Sequence, residues 1–199
     1  MKKQLIPKRV FINPIYKDKA VVLKTCEETG GKYSLGELEV LPGGGNSMHR
    51  HAAFVETFTA LSGTLGVAVK NKKYFLRPGD SIAVPVNTPH HFFNKTKEVV
   101  TCRIKFEPGH EGFPKGLAIG YGLAADGKTN KKGIPNSLTH LALLISLTDT
   151  RPVGLTGLLF PFFKWLARRA KKRGIEKALL ERYYYEPAEW VPPAKSVYA

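Results

Sequence analysis

The chain has 199 residues, of which 43% are hydrophobic and 24% are charged, so a buried core is available and wholesale disorder is excluded. Its length fits one domain of ordinary size, or a small domain with an extension. Lysine and arginine outnumber aspartate and glutamate by 31 to 16, and the resulting net charge of +15 excludes an acidic surface without identifying a partner. The two cysteines are too few for a disulfide framework or for a zinc site made of cysteine alone.

Targeting and membrane signals are not evident in the sequence. Residues 1–9 contain basic side chains, but no apolar run follows them, so we expect no secretory signal. No run of about 18 uncharged apolar residues is present, and we therefore expect no spanning helix. These observations predict a soluble cytoplasmic protein.

The first two thirds of the chain predict β-structure. Clusters of β-branched and aromatic residues recur between Gly, Pro and Asn turn signals. The predicted strands cover residues 9–16, 19–25, 33–41, 54–61, 64–69, 73–76, 81–84, 90–94 and 99–107. Many short strands at close spacing favour a sandwich or a barrel. We assign the barrel to residues 33–107 and treat residues 1–32 as strands that flank it.

The pattern changes after residue 107. Residues 108–135 are rich in glycine and lysine and predict a long connecting loop. Apolar residues then follow a helical period, which predicts a helical extension and tail over residues 136–199. Asn136 and Ser137 can cap the first helix, Pro161 suits the first position of a second, and Gly174 suits its end.

Histidines and a carboxylate cluster in one segment of the predicted β region. His49 and His51 are two residues apart, so on a strand their imidazoles point to the same side. Glu56 follows five positions later, and a bend could bring its carboxylate to the same point. His90, just after a turn that contains Pro89, is available as a fourth ligand. Imidazole and carboxylate together suit a divalent transition metal such as Fe, Mn, Ni, Cu or Zn.

The spacing of these residues resembles that of the cupin superfamily. The first motif of that family is Gly, five residues, His, any residue, His, three or four residues, Glu, six residues, Gly. In this chain it falls on Gly43, His49, His51, Glu56 and Gly63. The second motif is Gly, five residues, Pro, any residue, Gly, two residues, His, three residues, Asn, and it falls on Gly79, Pro85, Asn87, His90 and Asn94. Asn87 replaces the family's glycine, and asparagine tolerates the positive φ that the turn requires.

This resemblance implies a fold and a cofactor. The fold class is mainly β, a cupin-type jelly-roll β-barrel with a C-terminal α-helical extension. The resemblance also implies one metal ion held by His49, His51, Glu56 and His90, without naming the metal. Residues 121–124, 130–135 and 165–170 further resemble uncharacterised bacterial single-domain cupins with a helical tail, which favours a bacterial origin.

Strand alternation predicts which side chains surround the metal. Phe54 and Phe58 share a face with Glu56, and Phe92 shares one with His90, so these rings are either pocket walls or barrel core. Arg103 lies on a late strand. It either points inward, where it could hold an anionic substrate, or lies on the solvated outer face.

Three other histidines carry no such motif. His91 is adjacent to His90 and is expected to face away from the site. His110 and His140 are interpreted as ordinary residues.

Residues 155–173 form a basic amphipathic stretch. We expect its apolar face to pack on the protein and its basic face to meet solvent. The side chains expected to be buried are Phe162, Phe163 and Leu166, and those expected to be exposed are Lys164, Arg168 and Lys171. The alternative is a peripheral membrane contact through this stretch. Nucleic-acid binding is not expected, because no recognised binding module accompanies the charge.

The apolar content outside the barrel predicts an oligomer. The N-terminal strands around residues 10–15 and the C-terminal helices carry more apolar surface than one small barrel needs. Open sheet edges are normally covered, so we expect a homodimer with twofold symmetry.

Two classes of function remain open. The first is a metal-dependent enzyme, either an oxygenase of a small organic substrate or an isomerase or lyase in which the metal acts as a Lewis acid. The second is a non-catalytic module that binds or senses a small molecule. The intact ligand set favours an enzyme, whereas the lack of an identifiable general base outside that set favours a binding module.

Overall fold

The computed structural model describes residues 5–152 and 159–188. Within these ranges the chain forms three antiparallel sheets and four α-helices, with strands and helices numbered in chain order. The largest sheet contains, in spatial order, β2 (Val10–Asn13), β3 (Asp18–Lys24), β4 (Ser34–Val40), β11 (Val100–Glu107), β6 (Val55–Ser62) and β9 (Ser81–Val84). The second sheet contains β12 (Arg151–Pro152), β5 (His49–Arg50), β10 (His90–Phe93), β7 (Leu65–Val69) and β8 (Lys72–Leu76). The third pairs β1 (Leu5–Pro7) with β13 (Tyr185–Pro187).

The predicted strands are all present, with ends that differ by a few residues. The sequence missed β1, β5, β12 and β13. Each of these has only two or three residues, which is too short to show the alternation of apolar and polar residues that predicts a strand.

The six- and five-stranded sheets share one core but do not close into a barrel in the described part of the chain, which corrects the closed barrel expected from the sequence. The strands at two of the edges are short. β2 has four residues and β12 has two.

Alternation along the strands fills this core. On β11, Val100, Cys102, Ile104 and Phe106 are buried and the side chains between them are not. Burying each large apolar side chain contributes roughly 1.5–3 kcal/mol. The inner faces of the sheets are therefore apolar, and a polar group on them requires a hydrogen-bond partner or a ligand.

The helical extension is present as predicted. Its helices are α2 (Leu138–Thr148), α3 (Phe160–Lys172) and α4 (Ile175–Tyr183). Ser137 caps α2, because its hydroxyl accepts a hydrogen bond from the backbone N–H of His140 at 3.4 Å. Pro161 lies in the first turn of α3, and Gly174 follows that helix with φ +72°. The expected extended tail lies outside the described residues.

The segment predicted as a connecting loop contains a helix, α1 (Gly112–Ala125). The prediction was wrong because four glycines in these fourteen residues lower helix propensity by roughly 1 kcal/mol each. Tertiary packing explains the glycines. A Cβ on Gly116 would overlap Thr148 at the end of α2, and a Cβ on Gly122 would overlap the ring of Tyr183 on α4. Glycine thus allows close approach of the helices.

Helix α3 exposes more apolar surface than expected. Phe163 is buried and Leu166 is half-buried, but Phe162 is 46% exposed and Trp165 is 54% exposed, which corrects the predicted burial of Phe162. The buried side chains of α3 are Phe163, Ala167 and Ala170, which follow the helical period and lie on one face. Phe162 precedes Phe163 by one residue and therefore lies beside that face, not on it.

The basic face of α3 is as predicted, since Lys164, Arg168 and Lys171 are exposed. Residues 155–158 of the amphipathic stretch lie outside the described residues. In the ranges that the structure describes, no helix is long and apolar enough to span a bilayer.

Candidate metal site

The structure brings the four predicted ligands together from three strands. His49 lies on β5 and pairs in register with His90 on β10, while His51 follows β5 directly. Glu56 comes from β6 of the other sheet. One ligand atom of each residue lies within 4.8 Å of the other three.

The contacts within this cluster are close. His90 Nε2 donates a hydrogen bond of 2.7 Å to Oε2 of Glu56, and His51 Nε2 lies 3.4 Å from the same oxygen. The ring centroids of His49 and His90 are 4.5 Å apart. His51, Glu56 and His90 are buried, and His49 is half-buried, so the cluster faces inward with one partly accessible side.

Backbone carbonyls orient two of the rings. Nδ1 of His49 donates to the carbonyl oxygen of Ser47 and Nδ1 of His90 donates to that of Thr88, each at 2.8 Å. A carbonyl only accepts, so Nδ1 carries the hydrogen in each ring. This leaves Nε2 of His49 with its lone pair for a metal, an arrangement common among metal-ligating histidines. A metal at Nε2 of His90 would replace the hydrogen that this atom donates to Glu56.

Burial and the contacts among the four residues set their protonation states. Burial, followed by the proximity of His51 and His90, lowers the pKa of His49 to about 3. Burial alone would raise the pKa of the Glu56 carboxyl, but the imidazoles of His51 and His90 outweigh it and hold this pKa below its ordinary value. Burial opposes the charged form of His90 too, but Glu56 outweighs it and raises the pKa. At neutral pH Glu56 is therefore an anion and His49 is a neutral ligand.

The residues present fit a metal ion. Both ring nitrogens of His51 are buried and neither has a hydrogen-bond partner among the described residues. Leaving a buried polar atom unsatisfied costs about 1–3 kcal/mol, and ligation by a metal would satisfy one of these nitrogens. Three imidazoles and one carboxylate form a donor set that suits a divalent transition ion.

A turn built on Asn87 connects the two motifs. Asn87 has φ +60°, so the asparagine adopts the conformation predicted for it. Its backbone N–H donates a hydrogen bond of 2.5 Å to the carbonyl oxygen of His51. The departure from glycine in the second motif therefore leaves the site intact.

The predicted aromatic residues surround the cluster. Phe54 stacks on His51 with ring centroids 4.5 Å apart, and Phe58 lies edge-on to His90 at 6.1 Å. Phe92 borders a cavity beside the cluster, whereas Phe54 and Phe58 support the histidine rings from within the core. Phe92 is thus a pocket wall, whereas Phe54 and Phe58 belong to the core.

Arg103 does not reach the site, which corrects its candidacy as a substrate-binding residue. It is exposed on the outer face of β11 and donates a hydrogen bond of 2.8 Å to Glu37. Its neighbours Cys102 and Ile104 are buried, so alternation along the strand sends Arg103 to solvent.

The remaining histidines lie outside the cluster. His91 packs near Phe93 with ring centroids 5.4 Å apart, while its neighbour His90 faces the other three residues of the cluster. His110 meets the ring of Phe54 edge-on at 5.2 Å, and burial lowers its pKa.

A cavity of about 480 Å³ opens beside the cluster. His49, His51 and Glu56 line one part of it, and the inner face of the six-stranded sheet lines another. Side chains of the helices form the opposite wall, namely Phe113, Leu117, Tyr121, Leu141, Leu144, Ile145 and Phe163. The extension is therefore part of the site. Sequence reasoning missed this wall because α1 was not expected.

The extension also holds the ligand loop. Asp149, just after α2, accepts hydrogen bonds from the backbone N–H groups of Ala52 and Ala53 at 2.5 and 2.7 Å. Strand β12 follows and pairs with β5, which carries His49. No local signal in the sequence marks Asp149, because its partners lie almost a hundred residues away.

A second polar group lies on the cavity wall. The hydroxyl of Tyr121 donates a hydrogen bond of 2.9 Å to Oδ2 of Asp18, and both residues border the cavity and are buried. Burial raises the pKa of Asp18 to about 7, although the hydrogen bond from Tyr121 opposes part of this shift. Neither residue was singled out from the sequence, because a lone aspartate at the start of a strand carries no motif.

The fold and the ligand cluster define a class, a β-sheet protein with a cluster of three histidines and one glutamate beside a cavity. A family model of the cupin domain matches residues 36–107. The chain thus contains a single cupin domain, which is followed by C-terminal helices. No curated protein matches the chain.

Several solved structures are similar to part of the chain. KdgF from Halomonas sp. is 16% identical, with a TM-score of 0.43, over 48% of this chain and 83% of that protein. A cupin-superfamily sugar phosphate isomerase from Silicibacter pomeroyi is 20% identical, with a TM-score of 0.42, over 53% of this chain and 71% of that protein. Oxalate decarboxylase from Lactobacillus farciminis is 20% identical, with a TM-score of 0.42, over 47% of this chain and 29% of that protein. These activities belong to the proteins named.

Proposed function

We propose that this protein is a metal-dependent cupin that acts on a small organic molecule. His49, His51, Glu56 and His90 would hold one divalent transition metal, which is Fe, Mn, Ni, Cu or Zn. The observation that carries the proposal is the convergence of the four ligand atoms, within 4.8 Å of one another, beside a cavity of about 480 Å³ that His49, His51 and Glu56 line.

The residues of the chain have separate tasks in this proposal. When bound, the metal supplies Lewis acidity or, if it is redox-active, electron transfer with O₂. Glu56 supplies the negative charge that balances the ion, and the carbonyl of Ser47 keeps the His49 ring in its ligating orientation. Phe92 and Phe106 contribute apolar walls that limit water near the ligands.

The reaction class proposed is oxygenation of a small, largely apolar substrate. Four protein ligands would leave one or two positions on the ion for substrate and O₂. The mainly apolar cavity walls support an apolar substrate body. The alternatives are an isomerase or lyase that uses only the Lewis acidity of the metal, and a non-catalytic module that binds or senses a small molecule.

Elemental analysis of the full chain, purified without added metal, tests the proposal. We expect close to one metal ion per chain, and loss of most of it in His51→Ala protein. His91→Ala is the matched control, because that ring is adjacent in sequence to a ligand but packs near Phe93. It should retain the metal.

The identity of the metal then separates the reaction classes. Iron, manganese or copper supports the oxygenase, and the next measurement is O₂ uptake on addition of small aromatic and aliphatic compounds. Zinc or nickel favours the isomerase or lyase. A site without metal, in protein that is folded by circular dichroism, contradicts the proposal and favours the binding module.

Further features of the protein are proposed alongside this function. We take the two large sheets as the faces of a jelly roll, and the protein as a soluble bacterial one that works in the cytoplasm. A homodimer is supported by the position of β2, which is an edge strand with two exposed apolar side chains, Val10 and Ile12.

A further inference from the structure

One polar pair interrupts the apolar walls of the cavity. Asp18 begins β3 on the inner face of the six-stranded sheet, and Tyr121 reaches it from α1. Asp18 is only 3% exposed and Tyr121 only 7%. Burying a carboxyl group is costly unless its oxygens are hydrogen-bonded, so this position requires an explanation.

One oxygen of this pair lacks a hydrogen bond. Oδ2 of Asp18 accepts the hydroxyl hydrogen of Tyr121, but Oδ1 is buried without a partner among the described residues. Nearby polar groups are engaged elsewhere, since the side-chain oxygen of Asn13 accepts the backbone N–H groups of Ile15 and Tyr16. The ring of Tyr16 lies edge-on to Tyr121 at 6.4 Å and encloses the pair further.

We propose that Asp18 and Tyr121 form a second anchoring point in the cavity, which binds a hydroxyl group of the ligand at Oδ1 of Asp18. The inference rests on the proposed function only in that the cavity is the ligand site. A hydroxyl is the group that fits either state of the carboxyl. It donates to Oδ1 when the carboxyl is ionised and accepts from Oδ1–H when the carboxyl is protonated.

The pair therefore adds a specificity to the site that the metal ligands do not provide. The substrate class is a molecule with an apolar body, which fills the cavity between the sheet and the helices, and with a hydroxyl group. A pKa near 7 for Asp18 means that both carboxyl states are populated at neutral pH, which suits a partner able to donate and to accept.

A pair of matched probes tests this anchoring point. 2-Naphthol carries a hydroxyl, and 2-methoxynaphthalene has nearly the same body but no O–H to donate. Binding to the full chain is followed by probe fluorescence in protein treated with EDTA, so that no metal contributes to the affinity. We expect 2-naphthol to bind about tenfold more tightly at pH 8, where Asp18 is mainly ionised and must accept.

The variant completes the comparison. In Asp18→Leu protein the two probes should bind with equal affinity, and binding of 2-methoxynaphthalene should change little. Equal affinity of the two probes in the unaltered protein overturns the inference without any variant. Failure of 2-naphthol to bind at solubility-limited concentration overturns it too. Because metal is absent throughout, these outcomes are independent of whether the metal proposal holds.

Discussion

The carboxylate of Asp149 accepts the backbone N–H of Ala52, so the end of helix α2 holds the loop that begins at the ligand His51. The two residues are 97 positions apart. The helical extension therefore positions a metal ligand, in addition to forming a wall of the cavity.

This contact predicts that Asp149→Ala weakens metal binding without removing a ligand. We expect a loss of about 10- to 100-fold in affinity, the range found when groups that orient metal ligands are removed. Competition for Zn²⁺ or Co²⁺ against a chromophoric chelator measures this. Asp126→Ala is the control, because Asp126, just after α1, accepts hydrogen bonds from Arg182 and Tyr183 and not from the ligand loop. Equal affinities in the two variants would contradict the role of Asp149.

The buried carboxyl of Asp18 predicts a pH dependence of stability. Burial raises its pKa in the folded protein from 3.8 to about 7. Between these pH values the folded state retains a proton that the unfolded state has lost, so the free energy of unfolding falls as pH rises from about 4 to 7. A shift of three pKa units corresponds to about 4 kcal/mol as an upper figure.

Asp18→Asn should remove this dependence. Urea unfolding at pH 5 and pH 8 should show the variant gaining stability relative to the unaltered protein as pH rises. The difference between the two proteins isolates Asp18 from other titrating groups. Asp80→Asn, at an exposed turn, is the control for the loss of one carboxylate from the chain. If Asp18→Asn leaves the pH profile unchanged, Asp18 ionises normally.

The glycines of α1 predict opposite effects at neighbouring positions. An added Cβ at Gly122 would overlap the ring of Tyr183, so Gly122→Ala should destabilise the fold by about 1–3 kcal/mol. At Gly120 the nearest side-chain atom, Cδ1 of Leu144, is 3.5 Å from the added Cβ, which is an ordinary contact. Gly120→Ala should therefore be neutral or stabilise by up to roughly 1 kcal/mol through helix propensity. Thermal or urea unfolding measures both, and equal effects would show that helix packing does not explain these glycines.

The sequence predicted the ligand cluster better than its surroundings. The resemblance to two short cupin motifs implied the ligand set of His49, His51, Glu56 and His90, and strand alternation predicted that His49 and His51 point to the same side. Helix α1 was missed because its packing on α2 and α4, which is not visible locally, outweighs the low propensity of glycine.

The side chains that the sequence left undecided or missed depend on contacts that are distant in sequence or on burial. Alternation allowed either face for Arg103, and only the burial of Cys102 and Ile104 decides between them. Asp18 and Asp149 acquire their roles from partners about a hundred residues away, so no local pattern marks them.

The open edge at β2 predicts that dimer formation depends on its exposed face. Ile12 is 65% exposed and lies on an edge strand of the six-stranded sheet. We expect a dimer mass by light scattering at micromolar concentration and a monomer for Ile12→Lys, because a charge on an edge opposes pairing. Tyr74→Lys, on β8 at the edge of the other sheet, is the control and should remain dimeric. A monomer mass for the unaltered protein contradicts the prediction directly.

The exposed aromatic pair on α3 predicts binding to anionic membranes. Phe162 and Trp165 stack with ring centroids 5.9 Å apart, and both are about half exposed. Exposed Lys164, Arg168 and Arg169 surround them, and aromatic residues flanked by cations are typical of helices that lie in the membrane interface. Co-sedimentation with phosphatidylserine-containing vesicles should show binding that weakens as salt rises, because anionic lipid attracts the basic side chains.

The variant that tests this is Phe162→Ser/Trp165→Ser, which should lose most of the binding while its circular dichroism is unchanged. Phe75→Ser removes an aromatic ring of similar exposure, 58%, from the edge strand β8 and should bind as the unaltered protein does. Binding that follows net charge alone would be equal in all three proteins, since none of these substitutions changes a charged residue. Equal binding, or no binding in low salt, would show that the pair serves another contact.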